Sequence, residues 1–185
     1  MYQATIERAL RVAHEAHSGQ TRKGSDVPYV LHPIHAALIL SKCDATEDVI
    51  VAALLHDVVE DCEGWDLDRV ESEFGPRLRS IIAEVTEDKT LSWEARKQDA
   101  IDHVPHLSPE ALLVKGADKL HNLSSLLADL QAADNPEDVW QPFSRGAQET
   151  LRMSRILVEA LLLRLPASLG EALQRTLEAL EAEPA

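Results

Sequence analysis

The stretch VIVAALLHDVVED, residues 49–61, sets the pattern for the whole chain. Its seven leading apolar residues predict a buried helix, where ionisable side chains occur chiefly when they are paired or bind a metal. At about 100° per residue, His56, Glu60, Asp57 and Asp61 fall at about 0°, 40°, 100° and 140°, within one sector of that helix. One imidazole and three carboxylates so crowded repel each other, and a divalent cation removes that repulsion. The alternative is a capped helix end with a solvated acidic tip.

The composition indicates one helical domain that does not bind nucleic acid or a membrane. Of the 185 residues 45% are hydrophobic and only 4% aromatic, and the net charge of −14 argues against binding nucleic acid or an anionic membrane surface. No apolar run approaches the ~18 residues that span a bilayer, and the N-terminus lacks the apolar region of a signal peptide. Cys43 and Cys62 show no CxxC spacing, which predicts reduced thiols in a cytoplasmic protein.

Apolar periodicity, with glycine and proline as breaks, predicts helices along most of the chain. Their ranges are 2–18, 33–42, 46–62, 66–74, 77–85, 92–104, 109–130, 143–165 and 167–182. Residues 131–142 contain Asn135-Pro136 and Gln141-Pro142 and are predicted to form a loop. We expect the last helix to cap the core rather than to meet a partner chain.

Four side chains from three separate segments could share one metal ion. They are His32 at the entry of its helix, His56 and Asp57 in the opening stretch, and Asp118 in the helix 109–130. Two imidazoles and two carboxylates suit Mn, Fe or Zn rather than Ca. Four protein ligands leave positions open on a five- or six-coordinate ion, and such an ion lowers the pKa of water and stabilises phosphoryl charge.

The neighbouring residues suit phosphate chemistry. Glu60 and Asp61 lie next to the proposed metal without being needed as ligands, so they are suited to orient or deprotonate an attacking water, or to protonate a leaving oxygen. Arg22 and Lys23 precede Gly24, where the backbone can approach a phosphate closely. Taken alone, that segment is better explained as a solvated loop.

Five ordered segments give the chain a wider resemblance. It resembles the HD-domain phosphohydrolases, and more narrowly the hydrolase domain of the Rel/Spo alarmone enzymes and the stand-alone small alarmone hydrolases. The segments occur in family order over about residues 17–130: GQTRK (19–23), PYVLHP (28–33), AALLHDVVED (52–61), EVTEDKT (84–90) and KGADKLHN (115–122).

The resemblance implies an all-α HD fold of roughly eight to ten helices. It implies a single hydrolase domain over 1–185, with its motif-bearing core at about 17–130 and C-terminal helices within 143–182. The implied enzyme is a Mn²⁺-dependent 3′-pyrophosphohydrolase of the stringent response, cleaving the alarmone ppGpp to GDP and pyrophosphate; another divalent transition metal is the alternative. The roles that it implies are metal ligation by His32, His56, Asp57 and Asp118, catalysis by Glu60 and Asp61, and substrate binding by Arg22, Lys23, Asn122 and Ser125.

The chain departs from the family pattern at three places, of which the first concerns the assignment of the cations Arg22 and Lys23 and the last two leave the nucleobase open. The loop before His32 is one residue longer than in the bifunctional enzymes. Gly116 replaces a larger apolar residue, which is expected to reshape the pocket wall, although a helical glycine also signals close packing. The segment 140–143, WQPF, lacks the tyrosine that some relatives place against the nucleotide. The adenine alarmone ppApp and NADPH are therefore alternative substrates.

Two further alternatives concern the reaction. One is another HD phosphohydrolase, such as a nucleotidase or a cyclic-nucleotide phosphodiesterase. The other is a non-catalytic nucleotide sensor, which predicts a damaged ligand set, whereas all four ligands and both carboxylates are intact here. The expected partner is a small nucleotide, and the sequence leaves open whether the chain forms a homo-oligomer.

Overall fold

The computed structural model describes residues 3–183, which form eleven α-helices and one 3₁₀ turn. The helices are α1 (Ala4–Ala16), α2 (Leu31–Ser41), α3 (Glu47–Leu55), α4 (Val58–Asp61), α5 (Leu67–Phe74), α6 (Pro76–Val85), α7 (Trp93–His103), α8 (Pro109–Ala132), α9 (Pro136–Trp140), α10 (Gly146–Leu162) and α11 (Ala167–Ala182). The 3₁₀ turn is Val104–His106. The predicted all-α class is confirmed. Residues 1, 2, 184 and 185, which belong to the predicted domain 1–185 and in part to the helix predicted from residue 2, lie outside the described residues.

The helix predicted over 46–62 is divided at His56 and Asp57, so the prediction of one continuous helix is wrong. The His56 ring nitrogen Nδ1 lies 2.8 Å from the Ala53 carbonyl oxygen, the acceptor that the Asp57 N–H would use in an unbroken helix. Pairing resumes one turn later, where the Asp61 N–H donates to the Asp57 carbonyl oxygen at 2.9 Å. His56 and Asp57 both keep α-helical backbone dihedral angles, so the break is confined to the hydrogen-bond pattern of the helix.

The predicted loop 131–142 contains the short helix α9, which the sequence interpretation missed. Asn135 precedes it and its side-chain oxygen accepts from the Glu137 N–H at 3.4 Å, while Pro136 occupies the first turn. Both residues are regular helix-start signals. Trp140 ends the helix and is buried, which anchors this segment beside the core.

The core is built around α3 and α8. The residues of α3 from Val51 to Leu55 are all buried, as the opening stretch predicts for a helix that is apolar on every side. The long helix α8 packs against α2, α3, α6 and α11. The packing of α11 on α8 agrees with its expected role as a cap. The segments α2 and α3, which are distant from α8 in the sequence, thereby lie against it.

Two expectations from composition can be compared with the fold. No helix within residues 3–183 combines the length and apolarity that a bilayer crossing requires. Cys43 and Cys62 are both free thiols, as expected for reduced cysteines.

Gly116 in α8 permits close packing against the connection between α10 and α11. A Cβ atom there would lie 2.9 Å from Cδ2 of Leu165 and 3.1 Å from Cδ2 of Leu169. The missing side chain therefore faces the core. The expectation that Gly116 reshapes the pocket wall is wrong, because Leu165 and Leu169 fill the volume that a larger residue would occupy.

We predict that Gly116→Leu destabilises the protein by about 1–3 kcal/mol through overpacking. Thermal or denaturant unfolding measures the loss. Adding Leu165→Ala should recover part of it, because the two residues compete for one volume and a double-mutant cycle reports their coupling. Strictly additive effects of the two substitutions would contradict this packing account.

Candidate active site

The structure brings the four predicted metal ligands together. His32 comes from the first turn of α2, His56 and Asp57 from the junction of α3 and α4, and Asp118 from α8. His32 Nε2 lies 3.2 Å from Asp118 Oδ1 and 3.4 Å from Asp57 Oδ2. His56 Nε2 lies 3.2 Å from Asp57 Oδ1 and 3.8 Å from Asp118 Oδ1. Donor atoms of His32, His56 and Asp118 thus lie close to one another, and the two carboxylate oxygens of Asp57 border the two histidines.

The chemistry of this cluster fits a divalent cation. His56 Nδ1 lies 2.8 Å from the Ala53 carbonyl oxygen, so Nε2 is the ring nitrogen that faces Asp57 and Asp118 and can bind a metal. Burial alone lowers the pKa of His56, but the charges of Asp57 and Asp118 outweigh it and raise that pKa to about 9. The cluster therefore demands positive charge, from protons or from a metal, and two imidazoles with two carboxylates suit a transition metal.

The pKa of Asp118 also indicates that the cluster requires positive charge. Burial would raise the pKa of this carboxyl, but hydrogen bonds and charge from His32 and His56 hold it well below its usual range. An ionised carboxylate is the form that binds a metal. His32, His56 and Asp118 each offer a donor atom within 4.8 Å of the other two.

Tyr29 contacts Asp57 and His121 contacts His32, so both residues hold members of the cluster in place. The sequence analysis gave neither residue a role. The Tyr29 hydroxyl donates to Asp57 Oδ2 at 2.8 Å, and burial followed by the Asp57 charge raises its pKa, so it remains a donor. His32 Nδ1 lies 2.7 Å from His121 Nδ1. Burial and the His32 charge lower the pKa of His121 to about 4, so a neutral ring fixes the orientation of His32. Both residues lie in the quoted motifs, but spacing does not reveal such contacts.

Glu60 and Asp61 border the cluster, as predicted. Glu60 Oε1 accepts from the Glu87 N–H at 2.6 Å. Burial raises the pKa of Glu60 to about 7 against the lowering effect of that N–H, which suits proton transfer near neutral pH. The Lys89 ammonium donates to Asp61 and lies 3.8 Å from Glu60 Oε2.

The cluster, Glu60 and Asp61 line one cavity with a volume of about 230 Å³, and basic side chains line it as well. Lys89, Arg96, Lys97 and Lys115 all face it. Glu87 pairs with Lys97 at 2.8 Å and with Arg96 at 3.6 Å. These local cations can attract an anionic substrate although the whole chain carries a charge of −14.

A larger cavity of about 660 Å³ adjoins the cluster and contains all four predicted substrate residues, Arg22, Lys23, Asn122 and Ser125. Arg22 Nη2 donates to Asn122 Oδ1 at 2.7 Å, and Asn122 Nδ2 donates to Asp118 Oδ1 at 2.6 Å. The Lys23 ammonium lies 4.3 Å from the centre of the Phe143 ring. Phe143 thus supplies an aromatic wall in the segment where a tyrosine is absent.

Comparisons with known proteins show which family and which solved structures the chain resembles. The HD domain profile matches residues 9–149. The Mus musculus guanosine-3′,5′-bis(diphosphate) 3′-pyrophosphohydrolase MESH1 is 47% identical over 124 residues, covering 65% of this chain and 68% of that protein. The Homo sapiens protein of the same name is 45% identical over 126 residues, covering 66% and 70%. A solved structure of a metazoan ortholog of SpoT that hydrolyzes ppGpp superposes with a TM-score of 0.80 at 34% identity, covering 96% of both chains.

We predict that Tyr29→Phe weakens divalent-metal binding by about 10- to 100-fold, because Asp57 loses the donor that orients its carboxylate. Calorimetric titration of Mn²⁺ into metal-stripped protein measures the change. Asp57→Ala should abolish binding at this site. The matched control is Asp68→Asn, since Asp68 is an exposed carboxylate on α5. Equal metal affinity in Tyr29→Phe and the unmodified protein would contradict an orienting role.

Proposed function

The chain belongs to the HD-domain family, and we propose that it is a metal-dependent hydrolase that removes the 3′-pyrophosphate of guanosine-3′,5′-bis(diphosphate). The match over residues 9–149 confirms the predicted HD family. The MESH1 relatives and the solved structure of the SpoT ortholog confirm the resemblance to the Rel/Spo-type hydrolases. The single observation that carries the proposal is the contact chain from Arg22 through Asn122 to Asp118, which joins a nucleotide-sized cavity to the four-ligand cluster. Relatives at 45% and 47% identity are named for this activity.

The metal is proposed to be Mn²⁺, held by His32, His56, Asp57 and Asp118. The mixed nitrogen and oxygen ligands support a transition metal, with Fe or Zn as alternatives. When bound, such an ion lowers the pKa of a water molecule and neutralises charge on phosphoryl oxygens. The protein supplies the orientation of the ligands through Tyr29 and His121, whose contacts fix Asp57 and His32.

Glu60 is proposed to accept a proton during the hydrolysis, and Asp61 is proposed to orient the attacking water. Water forms a bond to the phosphorus attached to O3′, the P–O3′ bond breaks, and pyrophosphate leaves the nucleoside 5′-diphosphate. Glu60, with a pKa of about 7, accepts a proton from the attacking water. Asp61, held by Lys89 and 3.4 Å from the Tyr29 hydroxyl, orients that water. The departing O3′ takes up a proton from solvent to become the ribose hydroxyl, and Glu60 releases the proton that it accepted, so no net proton is left on the protein.

Guanine is the base that the larger cavity favours. Asp129 and Asp138 line this cavity together with apolar side chains such as Leu123 and Leu126. Guanine carries a ring N–H and an amino group on one edge, a pair of donors that a carboxylate can accept together, whereas adenine offers only its amino group as a donor on the corresponding edge. This argument favours ppGpp over ppApp.

The remaining assignments concern the chain as a whole. We propose a single HD hydrolase domain over 1–185, supported by the packing of α11 on α8. A cytoplasmic location is supported by the free thiols of Cys43 and Cys62. A small nucleotide is the proposed partner.

The test of this function is release of pyrophosphate from ppGpp and ppApp, side by side, with Mn²⁺ and with a chelator. We expect Mn²⁺-dependent release, faster from ppGpp than from ppApp because of the carboxylates in the larger cavity. Faster ppApp cleavage would contradict the base assignment alone. Metal binding without release from either compound would contradict the proposed reaction and favour another phosphorylated nucleotide, such as NADPH, or a sensor.

We predict that Glu60→Gln keeps metal binding but lowers turnover of ppGpp by about 100-fold or more, because the amide cannot accept the proton. Steady-state kinetics and a metal titration on the same sample separate the two effects. Glu63→Gln is the matched control, since Glu63 lies three residues away and is exposed. Unchanged turnover in Glu60→Gln would remove Glu60 from the chemistry.

A further inference from the structure

The short helix α4 carries both proposed catalytic carboxylates and ends at Asp61. Carbonyl groups at the end of a helix have no partner within it. The Trp65 N–H, which would reach the Asp61 carbonyl oxygen in a longer helix, donates instead to the Cys62 carbonyl oxygen at 3.3 Å. The side-chain Nε2 of Gln20 donates to the Asp61 carbonyl oxygen at 2.9 Å. The end of α4 is thus held by a residue that lies 41 positions earlier, in the loop after α1.

His17 fixes the orientation of the Gln20 amide. His17 Nδ1 lies 2.8 Å from Gln20 Oε1. In the reversed orientation the amide oxygen would face the Asp61 carbonyl oxygen, and two acceptors cannot form a hydrogen bond. His17 therefore donates from Nδ1, and the Gln20 amino group points to Asp61. His17 is only 2% exposed and its ring centre lies 4.8 Å from that of Tyr29, so packing restricts the donor.

The backbone of Gln20 holds a second residue of the site. The Tyr29 N–H donates to the Gln20 carbonyl oxygen at 2.9 Å. The Tyr29 hydroxyl in turn donates to Asp57 and lies 3.4 Å from Asp61 Oδ2. Gln20 thereby connects the backbones of Tyr29 and Asp61, whose side chains meet beside the metal cluster. Gln20 itself lines neither the cavity at the cluster nor the larger cavity, so it acts on a substrate only through other residues.

We propose that Gln20, oriented by His17, is a positioning residue that holds Asp61 in place for turnover. The inference rests on the proposed function, in which the Asp61 carboxylate orients the attacking water. The Lys89 ammonium also contacts that carboxylate, but the Lys89 side chain is 43% exposed and makes its contact from the surface. The Gln20 amide instead fixes the backbone from which the carboxylate extends. A displacement of about 1 Å at a reacting group costs up to about 100-fold in rate, so this contact bears directly on kcat.

Gln20→Met is the first test, because methionine has a similar length and no N–H group to donate to Asp61. The backbone bond between Tyr29 and residue 20 remains in this variant, so the change is confined to the side chain. We expect kcat for ppGpp to fall about tenfold, which is the equivalent of one hydrogen bond. Steady-state kinetics measure kcat and KM separately, and thermal unfolding of the same sample reports whether the fold is retained.

Substrate and metal affinity should be preserved in Gln20→Met, with KM and the Mn²⁺ dissociation constant within about twofold of the unmodified protein. The reason is that Arg22 keeps its own contacts, to Asn122 and through its N–H to the Val27 carbonyl oxygen at 2.8 Å. The matched control is Gln174→Met, since Gln174 is exposed on α11 and its amide donates to Glu178 at 2.9 Å. This control should change neither kcat nor KM.

Two further variants separate positioning from a general effect on the fold. Gln20→Glu keeps an acceptor for His17 and loses the donor to Asp61, so its kcat should fall at least as far as that of Gln20→Met. In an Asp61→Asn background the carboxylate is already absent, so adding Gln20→Met should lower the residual kcat no further. A role in folding alone would lower kcat equally in both backgrounds.

The outcomes distinguish this inference from the proposed function. Unchanged kcat in both Gln20 variants overturns the positioning role and leaves the proposed function standing. Equal losses with and without Asp61→Asn also overturn it, because Gln20 would then act independently of the Asp61 carboxylate. If the unmodified protein releases no pyrophosphate from ppGpp, the proposed function is overturned and this inference with it.

Discussion

Two carboxylates and two imidazoles face one another in the interior of this protein, and the rest of the site depends on how their charges balance. Asp57 and Asp118 are held among apolar helices, where an isolated ionised carboxylate is strongly unfavourable. The raised pKa of His56 and the depressed pKa of Asp118 express one requirement for positive charge between them. The α3 break at His56, the Tyr29 hydroxyl and the His121 ring all hold these groups in position for that charge.

The sequence carried enough information for the all-α class, for most helix bounds and for the residues that gather at the site. That success has a physical reason: His56, Asp57 and Asp118 are ionisable residues in apolar helices, and such residues stand out from the pattern. The break at His56 was not predictable, because no glycine or proline marks the position and the apolar residues on both sides continue. The support from Tyr29 was hidden for a similar reason, since it depends on how α2 approaches the α3–α4 junction.

Basic side chains gather at the site although the net charge of the chain is negative. The net charge of −14 belongs to the whole chain, yet Arg96, Lys97 and Lys115 face the cavity beside the metal cluster. Glu87 pairs with two of these cations and, through its backbone N–H, also donates to Glu60. Glu87 therefore connects two of the cations to the carboxylate of Glu60. Total composition argues against binding nucleic acid or an anionic membrane, whereas the local field depends on which helices place their cations together.

The contacts of Asn122 have a thermodynamic consequence. One amide bonds the Arg22 guanidinium through its oxygen and the Asp118 carboxylate through its nitrogen. A ligand that engages Arg22 and an ion that engages Asp118 therefore act on the same side chain. By linkage, the ion changes nucleotide affinity and the nucleotide changes ion affinity by the same free energy. Metal affinity and nucleotide affinity would then be coupled through Asn122, each altering the other by the same factor.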